Sequence, residues 1–222
     1  MNHIRAFALG SLAIVLIACA AAAMPAARAP LPDPATDDAL SPTKGKSVAV
    51  LAGGCFWGME EVFQHVRGVT NVTSGYAGGS ARTANYEMVS TGTSGHAESV
   101  KIEYDPSKIS YGQLLKVFFW VAHDPTQKNA QWPDTGPQYR SVIFYGSERQ
   151  QVLAKAYISQ LQNAHVFQNP IATELVRLSN FYDAEDYHQD YAVKHPQDRY
   201  IVQIDLPKLD DLRKQIPQLY VK

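Results

Sequence analysis

Apolar residues along the chain fall into short runs with distinct periods. Residues 48–51 are a continuous apolar run followed by Gly53 and Gly54, after which Phe56, Met59, Val62, Phe63 and Val66 recur at helical spacing. The pattern predicts strand, glycine turn, helix, with Cys55 at the helix start. Residues 69–76 mix valine and threonine in a strand-like way. Over 98–105 the chain alternates, with Val100, Ile102 and Tyr104 on one face and Ser99, Lys101 and Glu103 on the other, which predicts a half-buried strand. Ser110 with Gln113 forms a capping box for a helix carrying Leu114, Leu115, Val117, Phe118 and Val121, and Pro125 lies just beyond its end. A strand is predicted over 141–145, a helix from Ser147, again with a glutamine three residues on, to about Leu161, a strand over 173–179 and a short helix over 184–195.

Residues 77–97 carry no apolar period and are rich in Gly, Ser and Thr; so long a loop inside a compact domain is usually functional. Strands interleave with helices, and the strands at 69–76 and 98–105 have no predicted helix between them. The fold class expected is therefore α+β, a single-domain two-layer sandwich with helices over a mixed sheet, built on a ferredoxin-like core.

Residues 1–29 follow a different pattern. Arg5 precedes a stretch, 6–23, that is small or apolar apart from Ser11, as in an export signal. A membrane span is the other reading, and the alanine-rich half favours a removed signal. Leu16-Ile17-Ala18-Cys19 resembles the lipobox of bacterial lipoproteins, which would make Cys19 a lipidated N-terminus; the plainer reading is cleavage after Ala22, Ala23 or Ala29. Both readings place the protein in the periplasm or cell envelope, with membrane anchoring in the first. Residues 30–46, rich in proline, alanine and aspartate, read as a disordered tether, and residues 47–222 as the folded domain.

Composition changes this picture in two ways. A formal charge of -1 over 222 residues, 45% of them hydrophobic, is ordinary for a soluble domain and offers nothing for nucleic acid. The chain has only 2 cysteines, so once Cys19 is lost or lipidated Cys55 is the sole thiol and no internal disulfide can form. A single cysteine in an exported protein suggests a reactive thiol. Its place supports that. The start of a helix favours a thiolate, the two glycines leave a path for substrate, and Phe56 and Trp57 can wall an apolar pocket. The plain alternative is that Cys55 is a small buried hydrophobe. No paired His or Cys ligands occur at metal-binding spacing, and no cofactor is expected.

Six blocks in order carry a resemblance. They are Gly53-Gly54-Cys55-Phe56-Trp57-Gly58-Met59-Glu60; Gly75-Tyr76-Ala77-Gly78-Gly79; Tyr86-Glu87 with Gly95-His96-Ala97-Glu98; His123-Asp124-Pro125-Thr126-Gln127; Asp134-Thr135-Gly136-Pro137-Gln138-Tyr139-Arg140-Ser141; and Phe181-Tyr182-Asp183-Ala184-Glu185-Asp186-Tyr187-His188. Together they resemble the A-type peptide methionine sulfoxide reductases over nearly all of residues 47–200. The resemblance implies a site made by Cys55, Phe56, Trp57, Tyr86, Glu98, Asp134 and Tyr139, and reduction of the S epimer of methionine sulfoxide, free or in proteins.

Chemistry accounts for those residue types. A thiolate at Cys55 attacks the sulfoxide sulfur, and a carboxylic acid at Glu98, its pKa raised beside an aromatic cup, protonates the oxygen. Tyr86 and Tyr139 offer phenolic donors to that oxygen, Asp134 orients a water or its loop, and Phe56 with Trp57 encloses the substrate methyl. His96, His123 and His188 read as structural. One departure stands out: many members of the family recycle the nucleophile with a second cysteine near the C-terminus, whereas this chain ends Gln218-Leu219-Tyr220-Val221-Lys222. An external thiol, from a thioredoxin-like protein or a small molecule, must then regenerate Cys55. Two other functions are open on the sequence: a cysteine hydrolase pairing Cys55 with a histidine, and a non-catalytic envelope redox-binding protein.

Overall fold

The structure, a computed structural model, describes residues 31–222. The expected export signal at 1–29 and the lipobox at Cys19 lie outside the described residues. In chain order the elements are β1 (Ser47–Ala52), α1 (Phe56–Gln64), β2 (Val69–Ala77), α2 (Tyr86–Ser90), β3 (Ala97–Tyr104), α3 (Tyr111–Val117), β4 (Ala130–Gln131), β5 (Asp134–Thr135), β6 (Val142–Tyr145), α4 (Glu148–Asn163), β7 (Glu174–Arg177), β8 (Phe181–Asp183), α5 (Tyr191–Lys194) and α6 (Leu206–Gln215). The main sheet runs β7-β6-β1-β3-β2-β8, with β6-β7 parallel and every other neighbouring pair antiparallel. Its inner four strands, β6-β1-β3-β2, with α1 between β1 and β2 and α3 between β3 and β6, form the expected ferredoxin-like α+β core.

Alternation within the strands divides the apolar residues between two faces. Ala49, Leu51, Val100, Ile102 and Ile143 join Phe56, Met59 and Phe63 of α1 in the main core, while Val50, Ala52, Ala97, Val142 and Phe144 pack on the other face with Val176 and Phe181. The Ser110 capping box closes in both directions, Gln113 N–H to Ser110 Oγ at 3.1 Å and Ser110 N–H to Gln113 Oε1 at 3.0 Å. Among the described residues no helix is long and apolar enough to cross a membrane.

Three expectations are corrected. The loop after β2 is not wholly irregular: Asn85 accepts from Met88 N–H at 3.0 Å and starts α2. The helix expected over 184–195 is broken, because Asp190 takes a left-handed φ of 55° between a 3-10 turn at Asp186–His188 and α5. Two side chains of α1 hold that break: Glu60 Oε2 accepts Asp190 N–H at 2.9 Å and Gln64 Nε2 donates to Asp190 Oδ1 at 2.7 Å.

The third correction concerns the tether. Residues 31–46 pack as a strap across α3 and α4. Leu31 is buried in the core at 2% exposure, Tyr157 Oη donates to Pro32 O at 2.8 Å, and Gln160 bonds both Ala35 N–H, at 2.8 Å, and Asp33 O, at 2.9 Å. Asp37 accepts Gly112 N–H at 2.9 Å and the Ser110 hydroxyl, adding a second cap to α3. Proline- and aspartate-rich composition suggests disorder when partners must be local, but these partners lie 73 or more residues away. Replacing Asp37 by Ala should lower stability by about 1–2 kcal/mol, the usual effect of losing a helix cap. Denaturant unfolding of the mature chain measures it, and an unchanged midpoint would return the segment to a tether.

Candidate active site

The turn after β1 brings Cys55 to the N-cap of α1, where it is 8% exposed. The glycines before it allow close packing below the site. A Cβ on Gly53 would lie 2.8 Å from His123 Cγ, and one on Gly54, whose φ is +95°, 2.5 Å from Gln131 Cγ. Gly58, on the next turn, has its place for a similar reason: a Cβ there would stand 2.0 Å from Asp205 Oδ1.

Glu98 enters from the start of strand β3, opposite Tyr76 of β2, and is 3% exposed. Its Oε2 accepts the backbone N–H of Phe56 at 3.1 Å, so the acid is tied to the residue next to Cys55. Burial pushes its carboxyl up to about 8, against the Phe56 hydrogen bond and with help from the charge of Asp134. Glu98 therefore holds its proton at neutral pH.

Cys55 does not behave as its place at a helix start suggests. Burial pushes its thiol well above the ordinary value, the charges of Glu98 and Asp205 add to that, and the Trp57 N–H and Lys208 oppose it. The resting side chain is a neutral thiol. Desolvation is the largest of these effects and outweighs the helix terminus.

Three other segments complete the cup. Tyr86 opens α2, which is clamped by Glu185: Tyr86 N–H and Tyr76 Oη donate to its two carboxylate oxygens at 2.9 and 2.8 Å. Tyr139 lies in a 3-10 turn, Pro137–Tyr139, fastened to the loop before β3 by Arg140, whose guanidinium donates to His96 O at 3.1 Å and Gly95 O at 3.0 Å. Burial raises the hydroxyls of Tyr139 and Tyr86, and ionisation of Glu98 or Cys55 would raise them further. Each tyrosine thus feels both Cys55 and Glu98. Asp134, on β5, is half-buried, and its carboxylate accepts from the hydroxyl of Tyr200. Burial raises Asp134, against the Tyr200 hydrogen bond and Lys208.

The two aromatic residues after Cys55 take different places. Phe56 is only 1% exposed and forms a floor, its ring 5.8 Å from Tyr76 and 5.0 Å from His188. Trp57 is a half-buried wall, stacked on Tyr191 at 3.7 Å and met edge-on by Tyr200 at 6.1 Å. Of the sequence-derived set, Cys55, Glu98, Tyr86, Tyr139 and Asp134 lie within electrostatic reach of one another, and Phe56 and Trp57 adjoin Cys55 in the chain. Glu185, Tyr191, Tyr200, Asp205 and Lys208 join them without having been singled out. The first lies in a recognised block, but Tyr200, Asp205 and Lys208 fall in a polar C-terminal segment with little period to mark them. Asp205 is fully buried and paired with Lys208 at 3.0 Å.

Among the described residues no histidine hydrogen-bonds Cys55. His123 bonds Phe118 O and Ser141 Oγ at 2.8 and 2.7 Å, His96 bonds Gly79 N–H and Ser80 O at 3.2 and 3.0 Å, and His188 bonds Trp57. The arrangement offers a hydrolase no general base at the thiol. Nor is any group of His, Cys, Asp or Glu among the described residues placed to hold a metal ion.

Known proteins share both the sequence and the fold. The profile of the family described as peptide methionine sulfoxide reductase matches residues 47–219. The peptide methionine sulfoxide reductase MsrA 2 of Mesorhizobium japonicum is 53% identical over 79% of this chain and 90% of its own, and the MsrA of Thermus thermophilus is 46% identical over 78% and 97%. Among solved structures, the reduced form of Mxr1 from Saccharomyces cerevisiae superimposes with a TM-score of 0.62 at 35% identity, covering 73% of this chain and 92% of that one. The methionine sulfoxide reductase A of Corynebacterium diphtheriae gives 0.59 at 34% identity, covering 70% and 77%. On this agreement of sequence and fold, the chain belongs to the peptide methionine sulfoxide reductase family and is an enzyme that reduces methionine sulfoxide.

Proposed function

We propose that the enzyme reduces the S epimer of methionine sulfoxide through Cys55, with Glu98 as proton carrier, and that an external thiol recycles Cys55. The observation that carries this reading is the pair itself: a buried thiol and a buried, protonated acid, joined through the Phe56 N–H. In the proposed step Glu98 gives its proton to the sulfoxide oxygen. The positive charge this leaves on the substrate sulfur favours ionisation of Cys55, whose proton passes to the vacated carboxylate. Sγ attacks sulfur, the oxygen passes to Sγ, and methionine leaves. One S–O bond breaks in the substrate and one forms on Cys55; the sulfoxide is reduced by two electrons and the thiol oxidised to a sulfenic acid.

Tyr86 and Tyr139 donate to the oxygen as it gains charge, and Asp134, fixed by Tyr200, holds the loop that carries Tyr139. Trp57 walls the methyl group, with Phe56 below it. A first external thiol converts the sulfenic acid to a mixed disulfide with loss of water, and a second releases Cys55. A thioredoxin-like protein or a small thiol supplies both. The export-like leader supports action on oxidised methionines in the cell envelope, with Cys19 as a lipid anchor.

Three outcomes test this. Glu98→Gln should slow single-turnover reduction about 10²–10⁴-fold, the usual loss for a general acid. Because the acid form is required, the wild-type rate should fall as pH rises through about 8, and the variant should lack that limb; an unchanged rate and profile would remove Glu98 from the chemistry. Mixed with substrate and no reductant, the mature protein should release about one methionine per Cys55 and stop, gaining one oxygen atom by mass and reacting with a sulfenate trap. Two methionines per chain would reveal a second recycling cysteine. Fractionation of cells making the whole chain should place it in the envelope with its leader removed and a lipid mass on Cys19. A cytoplasmic chain that keeps Met1 would overturn export.

A further inference from the structure

His188 lies at the centre of the aromatic cluster beside the site. It is 2% exposed, and its ring centre is 4.2 Å from that of Tyr187, 4.6 Å from Tyr86, 5.0 Å from Phe56 and 5.8 Å from Trp57. Its Nδ1 accepts the indole Nε1–H of Trp57 at 3.2 Å. An indole can only donate, so Nδ1 must be unprotonated, and the neutral ring carries its proton on Nε2.

Trp57 is half-buried against the main core, stacked on Tyr191 at 3.7 Å and met edge-on by Tyr200 at 6.1 Å, contacts that fix the tilt of its ring more than its rotation within the ring plane. Among the described residues the bond to His188 is the hydrogen bond made by its indole N–H, and it adds a direction to those ring contacts.

We infer that His188 is a positioning residue for substrate binding: in its neutral form it holds the Trp57 indole by the Nε1–H, and protonation of Nδ1 releases that wall. The inference rests on Trp57 lining the substrate cup. Burial already lowers the affinity of His188 for a proton, with the Glu185 carboxylate opposing, so the bond survives through the neutral range and is lost only under acid. The groups that face the ring are few. Among the described residues Glu185 from its own segment is the charged one; Tyr86 from α2 and the neighbouring Tyr187 present phenols that stay neutral under acid; α1 presents Phe56 and Trp57.

The test is a double-mutant cycle with two substitutions at His188. Asn places a non-titrating acceptor near the position of Nδ1, and Leu fills the space with none. His188→Leu should raise KM up to about tenfold, the effect of losing one hydrogen bond that orients a binding surface, with the single-turnover rate at saturation within about twofold. His188→Asn should recover most of that loss. On a Trp57→Phe background, which has no Nε1–H, the Leu substitution should do nothing further to KM. In the wild-type enzyme KM should rise as pH falls below the ordinary imidazole range. The Trp57 indole N–H resonance, assigned by its absence in Trp57→Phe, should shift over the same range, and in His188→Asn both titrations should be flat.

Additive effects in the cycle, or an Asn variant no better than Leu, would overturn the inference while leaving the reductase chemistry intact. Should the Leu variant fail to fold, a wild-type indole resonance unmoved by acid would overturn it alone. An unchanged KM in Trp57→Ala would take away the cup reading and this inference with it, whereas loss of sulfenic acid formation would strike only the role given to Cys55.

Discussion

One buried hydrogen bond, from the Phe56 N–H to Glu98, joins the two halves of the site. The first N–H groups of a helix have no partner within it, and burial of this one demands an acceptor. Glu98, from the start of strand β3, supplies it at 3.1 Å and is thereby held beside Cys55. The bond alone would keep the carboxyl ionised. Desolvation is the larger effect and leaves Glu98 at about 8, and the same desolvation keeps Cys55 a thiol. Both groups thus hold their protons near neutral pH. A buried thiol also meets fewer stray oxidants than an exposed thiolate would, which suits a chain whose mature form is expected to have one cysteine.

The cup around that pair is assembled from segments with little regular structure of their own, and single side chains fasten each one. Glu185 holds the start of α2, Arg140 holds the turn of Tyr139 against the loop before β3, and Tyr200 holds Asp134. Glu60 and Gln64 of α1 fix the left-handed Asp190, which delivers Tyr191 onto Trp57. Helix α1 therefore organises the site twice: its N-cap is Cys55, and its second and third turns place the aromatic wall. The C-terminal segment closes the far side, with Asp205 pressed against Gly58 so tightly that no side chain fits there.

The strap formed by residues 31–46 follows the same logic on the opposite flank. It has one deep apolar anchor, Leu31, and otherwise relies on hydrogen bonds and the Asp33–Lys116 ion pair, so its order depends on a surface already built by α3 and α4. Substrate-side segments and strap alike are polar chains made rigid by a core that they do little to create.

That division explains what could be read from the sequence. Apolar period and caps determined β1, α1, β2, β3, α3 and α4, because such elements bury a continuous face and their spacing records it; the α+β class and the position of Cys55 followed. The seven candidate site residues were named through six blocks of residues rather than through any period. Only the tertiary structure decided the rest. The break at Asp190, the order of the strap, and the places of Tyr200, Asp205 and Lys208 all depend on partners distant in sequence, which local pattern cannot express. The charge state of Cys55 belongs with them: sequence shows the helix start that favours a thiolate, but the burial and neighbouring carboxylates that overrule it exist only once the chain is folded.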